Sequence, residues 1–413
     1  MANSDSLRLL SRSGLVLSLL GAAFIAWRIA SSIASDHYAR SEPDTALRWD
    51  SAHPVALVNL AEQRRRMGAS TDLSAAVQLA KRAIEVEPLA RNALAVLGTI
   101  AVQQGDSTKA DTLMNIAAVR APRSLLPQGY IYAQALKAKD FRRAGTALEA
   151  ILRSHPNVVD EVSGTIPAFI TDAGGSEELA RLLSSNPPWR KSLLSALFRQ
   201  WQEPDGLIRL VALVNEGPTP LHSEEFSLYL SKLIEVGRVE ETYLLWLQNL
   251  PADRLSNFTL LYNGRFQYEM SNLPFDWTIQ PVRGAAVELV RGGEETVLRV
   301  GFSGARVPFS HVSHLLLLPP GEYRFSGLVK AERLQNEGVL RWRISCLEDS
   351  QGSLGESDPI NGSTPWKQFQ TDFSVPKSAC RSQMLRLELP ARVALEQHIS
   401  GTASYRALDI RRR

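Results

Sequence analysis

PLARNALAVLGTIAVQQGDSTKADTLMNIAAVRAP, residues 88–122, begins and ends on prolines that belong to a series: Pro88, Pro122 and Pro156 stand 34 residues apart. Between the first two, small and apolar residues fall at helical spacing. Leu94, Leu97, Gly98 and Ala101 share one helix, and Ala110, Met114 and Ala117 a second. The next stretch keeps the register with Ile131, Tyr132 and Ala135, then Ala144, Leu148 and Ile151. A looser preceding copy carries Ala56, Leu57 and Leu60, then Ala76, Ala80 and Ala83. Each position has a packing reason, since small residues let paired helices approach while larger ones fill the space between pairs. A two-helix unit cannot bury its apolar face alone, so stacked copies imply an α-solenoid.

The period, the small residues and the closing proline together resemble the tetratricopeptide repeat family over residues 54–156. Helical spacing continues in a divergent form over 157–251, where Gly237, Arg238 and Trp246 with closing Pro251 look like one more unit. The resemblance implies a surface that grips a protein partner and does no chemistry.

From about Phe258 the period changes. VLRVGF, YRFSGLVKA, VLRWRISCL, FQTDFSVP and QMLRLELP alternate with period two between Gly, Pro and Asn breaks, which predicts an antiparallel β-sandwich over 258–413. Val297, Arg299 and Gly301 fall on one face of a strand, and Leu298, Val300 and Phe302 on the other. The segment Asn263 to Phe266, the turn at Pro320 to Tyr323, Trp366 with Phe369, the Phe373, Val375 and Pro376 strand and the closing Ala407 to Ile410 resemble the galactose-binding-like jelly roll of carbohydrate-binding modules. That resemblance implies sugar recognition, which uses flat aromatic faces and polar side chains. The candidate ligand residues are Trp277, Trp342 and Trp366, with Arg341 and Arg343 beside Trp342 facing an acidic polymer; Tyr262 and Tyr268 are further platforms. The alternative for the tryptophans is core packing. Family members hold a structural calcium through a carboxylate after the first-strand Phe and the closing Asp; Gln267 stands at the first position, so Asp409 lacks that partner and no metal or cofactor is expected.

The N-terminus places these parts. Residues 13–34 are apolar or small apart from Arg28 and, as a helix, measure roughly 33 Å, enough to cross a bilayer. Arg8 and Arg12 precede the run, so residues 1–12 are expected in the cytoplasm, with 35–53 as a linker and the bulk outside. A cleaved signal peptide is the competing reading, and either implies export. An exported chain makes Cys346 and Cys380 a disulfide candidate, buried thiols being the alternative.

Charge excludes one class of partner, because 46 basic residues against 43 acidic give no electrostatic reason to expect nucleic acid. Catalytic motifs are missing as well. His311 and His314 face opposite sides of a strand, adjacent acid pairs look solvated, and neither a G-x-S-x-G nor a Walker pattern occurs. The whole therefore resembles non-enzymatic accessory proteins of bacterial exopolysaccharide systems. That resemblance implies a single-pass inner-membrane scaffold with a periplasmic bulk, gripping an envelope protein through its repeats; a glycan-binding sandwich with the repeats as spacer is the second reading.

Overall fold

The computed structural model describes residues 3–90, 92–201, 204–256, 258–292, 295–336, 340–349, 352–390 and 394–413, with the side chains of 3–19, 204, 336, 394 and 395 outside the description. It divides into two compact units: one of residues 1–197 and 206–220, the other of 198–205 and 221–413.

The first unit is helical. It begins with α1 (Asn3–Tyr38), α2 (Pro43–Trp49), α3 (Pro54–Met67) and α4 (Ser70–Val86). It continues with α5 (Ala93–Gln103), α6 (Ser107–Arg120), α7 (Leu125–Lys137) and α8 (Phe141–Ser154). The pairs α3/α4, α5/α6 and α7/α8 each pack against themselves and then against the next pair. The 34-residue period appears in atomic detail at their turns. Asp106 caps α6 by accepting a hydrogen bond from the Lys109 N–H at 3.0 Å, and Asp140 caps α8 through the Arg143 N–H at 3.1 Å. The residue before each cap is left-handed, Gly105 at φ 77° and Lys139 at φ 56°, because the turn needs a positive φ whichever residue occupies it. Gly98 lets its neighbour close in: a Cβ there would meet Met114 Cγ at 3.0 Å.

Beyond α8 the pattern loosens into α9 (Val159–Ser163) and α10 (Ile166–Ile170), then α11 (Ala173–Ser184), α12 (Arg190–Gln200) and α13 (Pro204–Glu216). Arg190 is buried there and its guanidinium donates to the Leu183, Thr219 and Pro220 carbonyls, tying down chain ends that no regular repeat would satisfy.

The membrane expectation is corrected. Among the described residues no helix is long and apolar enough to cross a membrane, which overturns a single-pass inner-membrane anchor at residues 13–34 and the periplasmic placement built on it. The side chains of 13–19 lie outside the described residues. The C-terminal part of α1 is polar and enters the helical packing instead. Ser31 and Ser35 are buried, Ser35 Oγ donates to the Ala46 carbonyl at 3.2 Å, Asp36 meets His53 Nε2 at 2.9 Å, and Ala39 packs with Ala46 and Ala56. Residues 35–53, expected to be a linker, are thus the end of α1 and the whole of α2.

The second unit contains α14 (Ser223–Glu235), α15 (Val239–Gln248) and α16 (Ala252–Leu255), followed by two five-stranded antiparallel sheets. The strands are β1 (Trp277–Ile279), β2 (Ala285–Gly292), β3 (Glu295–Arg306), β4 (Val312–Leu316), β5 (Gly321–Asn336), β6 (Arg341–Cys346), β7 (Gly355–Glu356), β8 (Gly362–Val375), β9 (Gln383–Glu388) and β10 (His398–Arg412). Their spatial orders are β1-β4-β9-β6-β7 and β2-β3-β10-β5-β8. Alternating residues of both sheets meet in one core, with Trp277, Phe325, Trp342 and Tyr405 at its centre. Cys346 at the end of β6 and Cys380 before β9 are joined by a disulfide. Trp246 of α15 sits among Phe258, Tyr262 and Phe275, with ring centroids 5.0 to 6.1 Å apart, so α15 belongs to the entry of the sandwich. Gly264 is required there, since a Cβ would stand 2.1 Å from the Leu408 carbonyl oxygen, and its own carbonyl accepts from the Leu408 N–H at 3.0 Å.

Candidate functional site

The residues singled out as sugar platforms separate. Trp277 and Trp342 are 0% and 1% exposed and stack edge-on in the core, so neither offers a face to a ligand. Tyr262 is buried as well, and Tyr268 stacks on it under the Arg254 guanidinium. Arg341 and Arg343 do lie on the solvent side of β6, but acids hold them: Arg341 pairs with Glu356 at 2.6 Å, and Arg343 lies 3.9 Å from Glu356 and 3.6 Å from Glu388. Trp366 sits on β8 in the other sheet, with the Arg406 guanidinium 4.4 Å above its ring. Size and aromaticity do not tell core from surface, and these seven residues form no common site.

His314 is buried, with its ring nitrogens facing the Leu315 and Tyr262 carbonyls; burial pushes its pKa down while neighbouring Asp276 pulls the other way. His311 is held below its ordinary value by burial too. Asp409 is taken up by Arg411 at 2.5 Å, and no cluster of three or more potential metal ligands exists among the described residues.

The structure instead opens a groove of about 1010 Å³ on the solvent face of the sheet β2-β3-β10-β5-β8. Pairing registers define its floor. Ala286, Gly301, Thr402 and Glu332 stand in one row across β2, β3, β10 and β5, and Glu288, Arg299, Ser404 and Lys330 in the next, of which Arg299 alone reaches the groove. Val300, Ala403 and Ala331 lie between these rows and point into the core. Gly301 makes the depression: a Cβ placed on it meets nothing within 4 Å. Ser303, Ser363, Ser400 and Gln335 supply hydroxyl and amide groups around the rim. Glu332 is the one carboxylate lining the groove among the described residues. A hydrogen bond and charge from Lys330 hold it below its ordinary pKa, with Arg299 and Arg333 adding to the effect.

The alternation that puts Arg299 and Gly301 on one face was legible in the sequence. The rest of the groove was not, because short polar side chains from five strands carry no motif of their own.

No protein-family model and no curated protein matches the chain. Solved structures that it is similar to are carbohydrate-binding modules aligned with the β-sandwich. One is a CBM4 module, 17% identical, covering 37% of this chain and 99% of that one at a TM-score of 0.29. Another, from Bacteroides thetaiotaomicron, is proposed to bind sugar; it is 12% identical over 38% of this chain and all of its own, at 0.28. TmCBM61, solved with β-1,4-galactotriose, is 16% identical over 38% of this chain and 99% of its own, at 0.25.

Proposed function

We propose that this chain is a non-catalytic binding protein whose β-sandwich holds a stretch of polysaccharide in the groove on β2-β3-β10-β5-β8, while its helical pairs, read as tetratricopeptide-type repeats, hold a protein partner of a surface-polysaccharide system. The observation that carries this reading is the groove's floor and rim. An open trough set by Gly301 and edged by Ser303, Ser363, Ser400, Thr402 and Gln335 presents donors and acceptors at the spacing of strands, which suits a hydroxyl-rich polymer lying across the sheet. Binding is favoured over hydrolysis because a glycosidase needs two carboxyl groups, one of them with a raised pKa. Among the described residues Glu332 is the one carboxylate that lines the groove, and Lys330 holds its pKa below the ordinary value.

A partner for the helices is supported by an opening of about 640 Å³ beside the inter-pair turns, lined in part by Leu125, Leu126 and Arg123. Leu125 and Leu126 are 40% and 41% exposed there, more than packing between pairs would leave.

Affinity electrophoresis of the full chain through gels holding different polysaccharides tests the glycan reading. The expected result is retardation by at least one polymer and its loss in Gly301→Leu, whose side chain fills the floor in open space, with an unchanged melting temperature. Free migration in every gel, or retardation that survives Gly301→Leu, overturns the proposal.

A further inference from the structure

Charge in the groove is unevenly matched. Elsewhere on the same sheet several arginines have acids: Arg324 and Arg413 meet Asp372 at 2.7 and 2.8 Å, Arg406 pairs with Glu295, and Arg411 with Asp409, while Arg306 bonds the Gln397 amide oxygen at 2.6 Å. Lys330, in the row beside the groove, takes up the groove's Glu332 at 2.5 Å. Arg299 and Arg333 also line the groove, yet among the described residues no carboxylate stands within ion-pair distance of either guanidinium. Both are near enough to draw down the pKa of Glu332 without bonding to it. Two planar forks of donors are thus left facing an open trough.

The position of Arg333 is built, not incidental. In a regular strand Glu332 and the residue after it would point to opposite faces, but both line this groove. A bulge is responsible. The registers of β5 shift against β8 between Ala331 and Leu334 and against β10 between Ser400 and Thr402. Arg333 itself is left-handed at φ 48°, uncommon for a side chain of that size. Opposite it, Gly401 at φ 97° lets the backbones close, since a Cβ there would stand 2.2 Å from the Arg333 carbonyl oxygen. The Arg333 N–H is meanwhile anchored on Ser363 Oγ at 2.9 Å. Bulge, glycine and anchor turn one extra guanidinium toward the side where Arg299 already stands.

We propose that the groove selects an acidic glycan, a uronic-acid type polymer whose carboxylates are received by Arg299 and Arg333 while its hydroxyls meet the serine and threonine rim. Guanidinium is the side chain suited to planar, two-point capture of carboxylate, and its always-charged state makes the capture independent of pH above the carboxylate range. The inference rests on the glycan-binding reading and adds the class of sugar.

The test uses the full chain and four probes: polygalacturonate, the same polymer with its carboxyl groups reduced to alcohols, dextran and dextran sulfate. Polygalacturonate is expected to bind, its reduced form at least roughly tenfold more weakly, which is the effect of losing a charged hydrogen bond. Arg299→Gln and Arg333→Gly are each expected to weaken polygalacturonate by a similar factor and the reduced polymer by distinctly less. Glycine at 333 accepts the positive φ, so that variant removes the fork and keeps the bulge. Rising salt weakens the acidic polymer more than the reduced one. Equal binding of the native and reduced polymers, or variants that bind polygalacturonate as wild type does, overturns the acidic assignment and leaves glycan binding standing. Dextran sulfate binding as tightly as polygalacturonate overturns the preference for carboxylate. Absence of binding to all four, together with free migration in every other polysaccharide gel, removes both readings at once.

Discussion

The two halves of this chain fill their interiors in opposite ways. Around α3, α4 and α5 five of the nine clustered residues removed from solvent are alanines, Ala61, Ala76, Ala80, Ala83 and Ala93, all at 0% exposure, beside Leu57, Val58, Val96 and Ile100. Between the sheets they are Trp277, Trp342, Phe325, Tyr405 and Tyr323. The spacing of the elements explains the contrast. Helices that meet through alanine lie close together, and every extra carbon must be accommodated by moving a backbone. Sheets face one another about 10 Å apart, a gap that only large side chains fill from both sides. A bulky residue is therefore an obstacle where helices meet through alanine and a necessity between the sheets.

The largest expected effect tests the necessity. Trp342→Ala should destabilise the sandwich by about 3–5 kcal/mol, because it empties the space shared with Trp277, Phe325 and Tyr405, whose ring centroids lie 5.7, 5.8 and 5.4 Å away. Trp342→Phe should recover most of the loss, since the buried indole N–H has no acceptor to lose. Urea denaturation followed by tryptophan fluorescence measures both. A Trp342→Ala protein as stable as wild type but unable to bind glycan would restore that residue as a platform and break the comparison.

A second measurement asks how much of the sandwich depends on its covalent tie. The Cys346–Cys380 bridge closes a separation of 34 residues and stands beside the same core. The chain-entropy account assigns such a loop roughly 3–4 kcal/mol. The double variant Cys346→Ser with Cys380→Ser should lower the melting transition of the sandwich accordingly and leave the helical transition where it was. A shift in both transitions would show that the halves unfold as one.

What the sequence disclosed follows the same division. The helical half was legible because its signal is local and repeated: Pro88, Pro122 and Pro156 at one period, and Ala110 and Ala144 at one position of successive units. The sandwich was legible as a class of fold, from alternation alone. Its inside and outside were not, because Trp342 and Trp366 carry the same chemistry and differ only in which face their strand turns to the core. The groove was least visible. Its depth comes from a missing side chain at Gly301 and its charge from a bulge at Arg333, and both depend on pairing between strands distant in sequence. The apolar run at 13–34 read as a membrane span on its length and hydropathy, yet among the described residues no helix is long and apolar enough to cross a membrane, and the packed end of α1 is polar, at Ser31, Ser35 and Asp36.

The smallest effect tests the obstacle. Ala83→Leu adds three carbons where α4 meets Leu57, Val96 and Ile100, all buried. Overpacking of this kind costs about 1–3 kcal/mol, less than emptying the sandwich core, because helices can slide apart where a cavity cannot refill. Val119 is 82% exposed in the same unit, and Val119→Leu should change stability by no more than about 0.5 kcal/mol. Thermal melts of the two variants followed by far-ultraviolet circular dichroism decide it. If both are neutral, the alanines of the helical half are only good helix formers and the close approach they are credited with is not what they provide. If Ala83→Leu alone is destabilising, the small residue is selected for distance between helices, and the 34-residue spacing of such residues records the geometry of the stack.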